Sequence, residues 1–256
     1  MKIVDQLGRS LELPETPLKV ISLVPSITEM LYALGVEPVA QTIFCIHPAD
    51  KFKDAAKIGG TKKLKISEIL DLNPDLVIAN KEENLKEEIE PIAQKVPTYI
   101  SDIGTISEAE RMIEDIGLIL DCENKASALI KSIRNNRQDR AGFEPRSYLY
   151  LIWREPYFVT GSDTFITDML NEVGLVNAFN EDRYKEISME DMRRIEPDYV
   201  FLSSEPYPFK IIHVNELQPM LPDSKVVLID GEMVSWYGSR IPDGLKYLKE
   251  FRANLD

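Results

Sequence analysis

One order of elements occurs twice in this chain of 256 residues, and the repetition limits its possible folds more than any single motif does. Lys19 to Leu23 reads as a buried strand, Val24-Pro25 breaks it, and a helix from Ser26 to Leu34 stops at Gly35. Ser26 and Glu29 have the spacing of a capping box, in which each side chain satisfies an amide at the helix start. Ser147 to Ile152 repeats the strand, Trp153 to Asp163 reads as a loop, and Thr164 to Val173 is a helix stopped by Gly174. Further along each half, a short helix passes through a Pro-Asp break into an apolar strand. Ile66 to Asp71 leads by Pro74-Asp75 into Leu76 to Ala79, and Ile187 to Ile195 leads by Pro197-Asp198 into Tyr199 to Leu202. Val96 to Ile100 and Val226 to Ile229 close the two halves as strands.

Strands alternating with helices, and no hairpin signal between them, predict parallel-type sheets covered by helices. The fold class is therefore α/β: two small lobes joined by one long backbone helix, with a ligand cleft between them. Apolar residues recur at three- and four-residue steps over 106–141, with a break at Asp121 to Asn124. The expected boundaries are an N-terminal lobe over 1–121, a linker helix over 122–142 and a C-terminal lobe over 143–256.

Charge and hydropathy narrow the function. A net charge of -13 opposes binding to phosphate backbones or anionic lipid, so nucleic acid is excluded. No apolar stretch reaches the roughly 20 residues that span a bilayer, so membrane insertion is excluded too. Met1 to Asp5 runs into polar Gln6, Gly8-Arg9 and Glu12 rather than an apolar leader segment, which predicts a cytoplasmic protein if the N-terminus is native. Cys45 and Cys122 form no spacing motif and read as reduced thiols.

In open α/β sheets, ligands sit outside the carboxyl ends of the strands, so the loops leaving those ends hold the candidate site. In the first half these loops carry Pro25, Ser26, Phe44 and His47; in the second they carry Trp153, Arg154, Tyr157, Glu205, Tyr207, Trp236, Tyr237 and Arg240. Rings interleaved with arginines on Pro-stiffened loops suit a broad, flat ligand with polar edges, because rings supply area at low entropic cost. His47 and His213, in corresponding regions of the two halves, are the candidate metal ligands of an alternative reading, a zinc, manganese or iron receptor of the same architecture. A third reading is a cobalamin- or chelate-handling enzyme with His47 or Glu205 as base, although no motif supplies a nucleophile. Gly59 to Lys62 lacks phosphate-loop spacing and reads as a tight turn, and the acidic run from Glu82 to Glu90 as a solvated helix face.

Val20 to Glu29, Ile58 to Thr61, Leu72 to Ile78, Trp153 to Gly161 and Trp236-Tyr237-Gly238 together resemble the class III, helical-backbone substrate-binding proteins of vitamin B12 and ferric-siderophore ABC importers. The likeness runs from Asp5 to the last helix, and with no leader visible it points to a leaderless branch of a family that is usually periplasmic or surface-anchored. It implies two α/β lobes, a rigid cleft, no catalysis, no required cofactor, a monomer, and a corrinoid or ferric chelate as ligand. It also implies an ABC permease as partner, docked through a surface glutamate on each lobe seven residues before the Pro of the Pro-Asp break. That count falls on Glu190 in the second half and on Ser67 in the first, where Glu68 is the adjacent acid.

Overall fold

The chain is described from a computed structural model over residues 1–138 and 142–255. Two compact units emerge. The first comprises 1–103, 107–132 and 237–240; the second comprises 104–106, 133–236 and 241–256.

The first unit opens with the hairpin β1 (Lys2–Val4) and β2 (Ser10–Glu12), whose strands pair antiparallel. Next come β3 (Val20–Ser22), α1 (Pro25–Leu34), β4 (Ala40–Gln41), α2 (Ala49–Phe52) and β5 (Ala56–Lys57). A tight antiparallel pair, β6 (Gly59–Gly60) and β7 (Lys63–Leu64), occupies the turn expected there. It is followed by α3 (Ile66–Asp71), β8 (Leu76–Asn80), α4 (Lys86–Ala93) and β9 (Thr98–Ser101). The sheet runs β5-β4-β3-β8-β9 and is parallel throughout. All residues of β3, β8 and β9 are buried, as strands covered on both faces must be. Ile21, Leu23, Val77 and Ala79 pack there with Ile69 of α3 and Ile89 and Ile92 of α4.

Two consecutive helices follow, α5 (Ile106–Ile119) and α6 (Glu123–Gln138). The break falls where expected, with Asp121 in a left-handed conformation. The predicted helical run extends to 141, and its last residues lie outside the described range. α6 carries the chain from the first unit into the second and, at 1.5 Å per residue, its 16 residues measure about 24 Å.

The second unit contains β10 (Arg146–Trp153), β11 (Phe158–Thr160), α7 (Phe165–Asn171), β12 (Leu175–Asn177), β13 (Tyr184–Glu186) and α8 (Met189–Ile195). After them come β14 (Tyr199–Ser203), α9 (Ile211–Leu217), β15 (Lys225–Ile229), α10 (Gly231–Ser235) and α11 (Ile241–Ala253). β12, β14 and β15 belong to the parallel part around β10. Leu149, Leu151, Val200 and Leu202 form its core with Met192 of α8 and Leu217 of α9.

Two expectations are corrected. The stretch 153–163 is not a loop, because β10 runs on to Trp153 and turns back into β11 as an antiparallel hairpin, which β13 extends. The second sheet is thus mixed. Its hairpin signal was hidden because the turn holds Glu155-Pro156 instead of an Asn-Gly pair. Nor does Ser26 form a capping box with Glu29. Pro25, whose ring fixes φ for a first helical turn, starts α1 one residue earlier, so Val24 is the N-cap and Ser26 lies inside the helix. Among the described residues no helix is long and apolar enough to cross a membrane.

Candidate functional site

In each sheet the strand order reverses beside the first core strand, between β3 and β8 in one unit and between β10 and β14 in the other. Outside the carboxyl ends of such a pair, the loops diverge and leave a crevice. In the first unit that crevice is organised by Asn84, a buried residue that no motif marks. Its side chain accepts from Asn80 N at 2.9 Å and donates to Leu23 O at 3.3 Å and Thr61 O at 2.9 Å, tying together the loops after β3, β6 and β8.

The loop after β4 is the most informative part of this rim. Cys45 is buried, with Thr28 Oγ1 and Thr42 Oγ1 each 3.1 Å from its sulfur, and Gln41 Nε2 donates to the Cys45 carbonyl at 2.8 Å. Burial pushes the Cys45 thiol pKa up, against the lowering effect of the two threonine contacts, so the sulfur is a packed anchor. With Cys45 held inward, Ile43, Phe44 and Ile46 are left on the solvent side, Phe44 being 54% exposed. Its ring edge passes so close to Gly60 that a Cβ there would meet it at 3.0 Å. A fixed loop presenting three apolar side chains is a built surface, since undirected exposure of that kind is unfavourable in water. His47 and Pro48 follow, half-buried, in the same loop.

Pro25 and Ser26 begin α1 beside this loop. Tyr237 and Gly238 are buried, and Gly238 passes over Met30 at a distance that leaves a Cβ 3.0 Å from the methionine Cβ; its φ of 100° also favours glycine. Arg240 then grips Glu29 with two charge-assisted bonds, Nε to Oε2 at 2.9 Å and Nη2 to Oε1 at 2.6 Å. Arg240 therefore enters the first unit already matched by a carboxylate, and does not stand as the open grip expected for a ligand.

In the second unit Trp153 meets Tyr207 edge to face with ring centroids 5.7 Å apart. Tyr207 continues the cluster to Phe209 at 4.7 Å and His213 at 5.5 Å. Trp153 remains 44% exposed. A bulge in β10 between Leu151 and Trp153 shifts the register there, a device that re-aims a side chain at a strand end. Arg154 Nη1 lies 3.0 Å from Glu216, and its Nε 3.3 Å from Glu155. Tyr157, half-buried, has its pKa raised by desolvation, against the opposing Arg154 charge.

Trp236 and Glu205 turn out to be a buttress. Trp236 is only 8% exposed, and its Nε1 and the Ser235 hydroxyl both donate to Glu205 Oε1 at 2.8 Å. Gly231 admits this contact, as a Cβ there would fall 2.6 Å from Glu205 Cγ. His213 Nδ1 accepts from Lys210 N at 2.8 Å, which fixes the ring at the start of α9. Among the described residues no three His, Cys, Asp or Glu side chains converge in a way that could hold a metal ion.

Glu68 and Glu190 are both exposed on short helices that precede the Pro-Asp breaks. Glu190 is the second residue of α8; the second residue of α3 is Ser67, with Glu68 third and paired to Lys65 at 3.0 Å.

The profile of a family described as periplasmic binding protein matches residues 20–219. An uncharacterized ABC transporter substrate-binding lipoprotein of Bacillus subtilis (strain 168) is 26% identical over 97% of this chain and 84% of its own length. A vitamin B12-binding protein of Vibrio parahaemolyticus is 27% identical over 72% of this chain and 70% of its own. Among solved structures, the periplasmic vitamin B12 binding protein of Vibrio cholerae superimposes with a TM-score of 0.83 at 21% identity, covering 94% of this chain and 98% of that one.

Proposed function

Because the chain belongs to the periplasmic binding protein family, we propose that it is a solute receptor for ABC-type uptake whose cargo is a corrinoid or a ferric chelate. The observation that carries this reading is that each unit, taken by itself, presents apolar side chains on anchored loops. One unit offers Ile43, Phe44 and Ile46 on a loop anchored by Cys45; the other offers Trp153, backed by Tyr207. Large apolar faces on anchored loops match a flat, bulky cargo, because little ordering entropy is lost on binding. The polar side chains named at the rims serve packing and pairing, as a binder without a reaction requires: Glu205 supports Trp236, and Arg154 and Arg240 face carboxylates. Pro25, Ser26, His47, Tyr157 and Tyr237 complete the proposed surroundings of the cargo. An ABC permease would dock on the helix starts bearing Glu190 and, in the other unit, Ser67 and Glu68.

Titration of the purified protein with cobalamin, cobinamide, haem and ferric siderophores, followed by tryptophan emission, tests the reading. Saturable quenching is expected, lost in Trp153→Phe and retained in Trp236→Phe, since only Trp153 is substantially exposed. Phe44→Ala is expected to weaken binding about tenfold, the loss of one well-packed ring contact. If all four ligand types leave both emission and melting temperature unchanged, the cargo class is wrong.

A further inference from the structure

The proposed cargo classes differ in charge. Haem carries propionate carboxylates and ferric catecholates are polyanionic, whereas corrinoids and hydroxamate chelates are neutral or cationic and fringed by amides. The rims bear directly on this difference. The loops leaving the sheet ends over 25–29, 44–48, 80–84, 101–102, 153–158, 203–209 and 235–240 contain three cationic side chains, Lys81, Arg154 and Arg240. They contain six acidic ones: Glu29, Glu82, Glu83, Asp102, Glu155 and Glu205. Each cation is held by a carboxylate of its own unit. Lys81 Nζ lies 2.6 Å from Asp102, Arg240 Nη2 2.6 Å from Glu29, and Arg154 Nη1 3.0 Å from Glu216. The exposed flanking lysines do not reverse the balance. With the exposed Lys62, Lys63 and Lys210 the cations number six, and with Glu216, which pairs with Arg154, the acids number seven.

A polyanionic cargo would have to break these pairs or approach carboxylates in excess, and either costs free energy that a neutral cargo does not spend. Resting on the receptor reading above, we infer that the cargo is a neutral or cationic molecule with amide or hydroxamate edges, and that the Glu29–Arg240 and Glu216–Arg154 pairs act as charge locks against carboxylate-bearing ligands. The apolar loops would cover the ligand's faces, and the paired carboxylates take no part in holding it.

The test uses the full chain and five probes: cyanocobalamin, aquocobinamide, ferrioxamine B, haemin and ferric enterobactin. The wild type is expected to bind at least one of the first three at least tenfold tighter than haemin or ferric enterobactin. Glu29→Gln and Glu216→Gln each take one carboxylate away from an arginine, Glu155 staying 3.3 Å from Arg154 Nε. Each is expected to raise affinity for the two anionic probes about tenfold while changing that for the neutral or cationic ligand less than threefold. Glu216 lies on the surface of α9, so its variant tests the idea even if Glu29→Gln loses stability in a melting curve. Tighter binding of haemin or ferric enterobactin by the wild type overturns the inference and leaves the receptor reading standing. Unchanged anion affinity in a folded Glu216→Gln protein also overturns it. Binding of none of the five removes the receptor reading itself and the inference with it.

Discussion

Asp75 and Asp198 perform the same task at the same place in both units. Asp75 Oδ2 accepts from Leu18 N and Lys19 N, both at 2.9 Å, just before β3; Asp198 Oδ2 accepts from Ser147 N and Ser147 Oγ, both at 2.7 Å, at the start of β10. The Pro-Asp breaks thus do more than end helices. Each carboxylate fastens the strand that enters the sheet next to its own. The Ser147 bonds, with Arg146 adding a smaller effect, hold the Asp198 carboxyl below the usual carboxylate range. A carboxyl pKa lower in the folded than in the unfolded chain stabilises the fold above the unfolded value, and that contribution disappears as pH falls through the folded one. Asp198→Asn is therefore expected to lower stability near neutrality by roughly 1 kcal/mol, the scale of a partly exposed charge-assisted bond. In urea unfolding the gap between variant and wild type should narrow as pH falls from the unfolded aspartate value, about 3.9, through the lower folded one. A gap independent of pH would show that charge plays no part. At this scale the sequence was readable in kind more than in role: Glu205, Trp236 and Arg240 stand in the expected loops, yet each is engaged by a partner that only the fold supplies.

Helix starts illustrate how local signals compete. Ser188 and Asp191 form a reciprocal capping box at α8, whereas Ser26 and Glu29, with equivalent spacing, form none because Pro25 takes the first helical position. The same tension shapes the α5–α6 turn. Gly117 is not needed there for a left-handed backbone; it is needed for room, since a Cβ would come within 2.5 Å of the Ala126 Cβ. Gly117→Leu is accordingly expected to overpack this contact and destabilise the protein by about 1–3 kcal/mol, read as a lowered urea midpoint with an unchanged slope. Gly117→Ala should give a smaller loss. If the leucine variant is as stable as wild type, the close approach of these helices is not needed for stability. The β10–β11 hairpin escaped the strand pattern because its turn is built on Glu155-Pro156, while the parallel strands, buried on both faces, announced themselves as apolar runs.

Across the whole molecule, the family match spans 200 residues, 20 to 219, and so includes parts of both units. If the proposed permease partner holds, the ligand surface and the docking surface can be altered separately. Glu190, exposed at the second position of α8, lies outside the loops that carry Phe44 and Trp153. Glu190→Arg is thus expected to leave the ligand titration unchanged and to reduce uptake through a reconstituted permease more than tenfold. Equal loss in both assays would place Glu190 in the ligand surface instead. The duplicated order of elements, the parallel strands of both sheets and the helical run after residue 106 were determined by the sequence alone, because apolar periodicity and Gly and Pro punctuation are local properties. Other features required the tertiary structure: the return of 237–240 to the first unit, the pairing of Arg240 with Glu29, and the burial of Trp236 against Glu205. These contacts join residues far apart in the chain, and their geometry is set by packing that no sequence window contains.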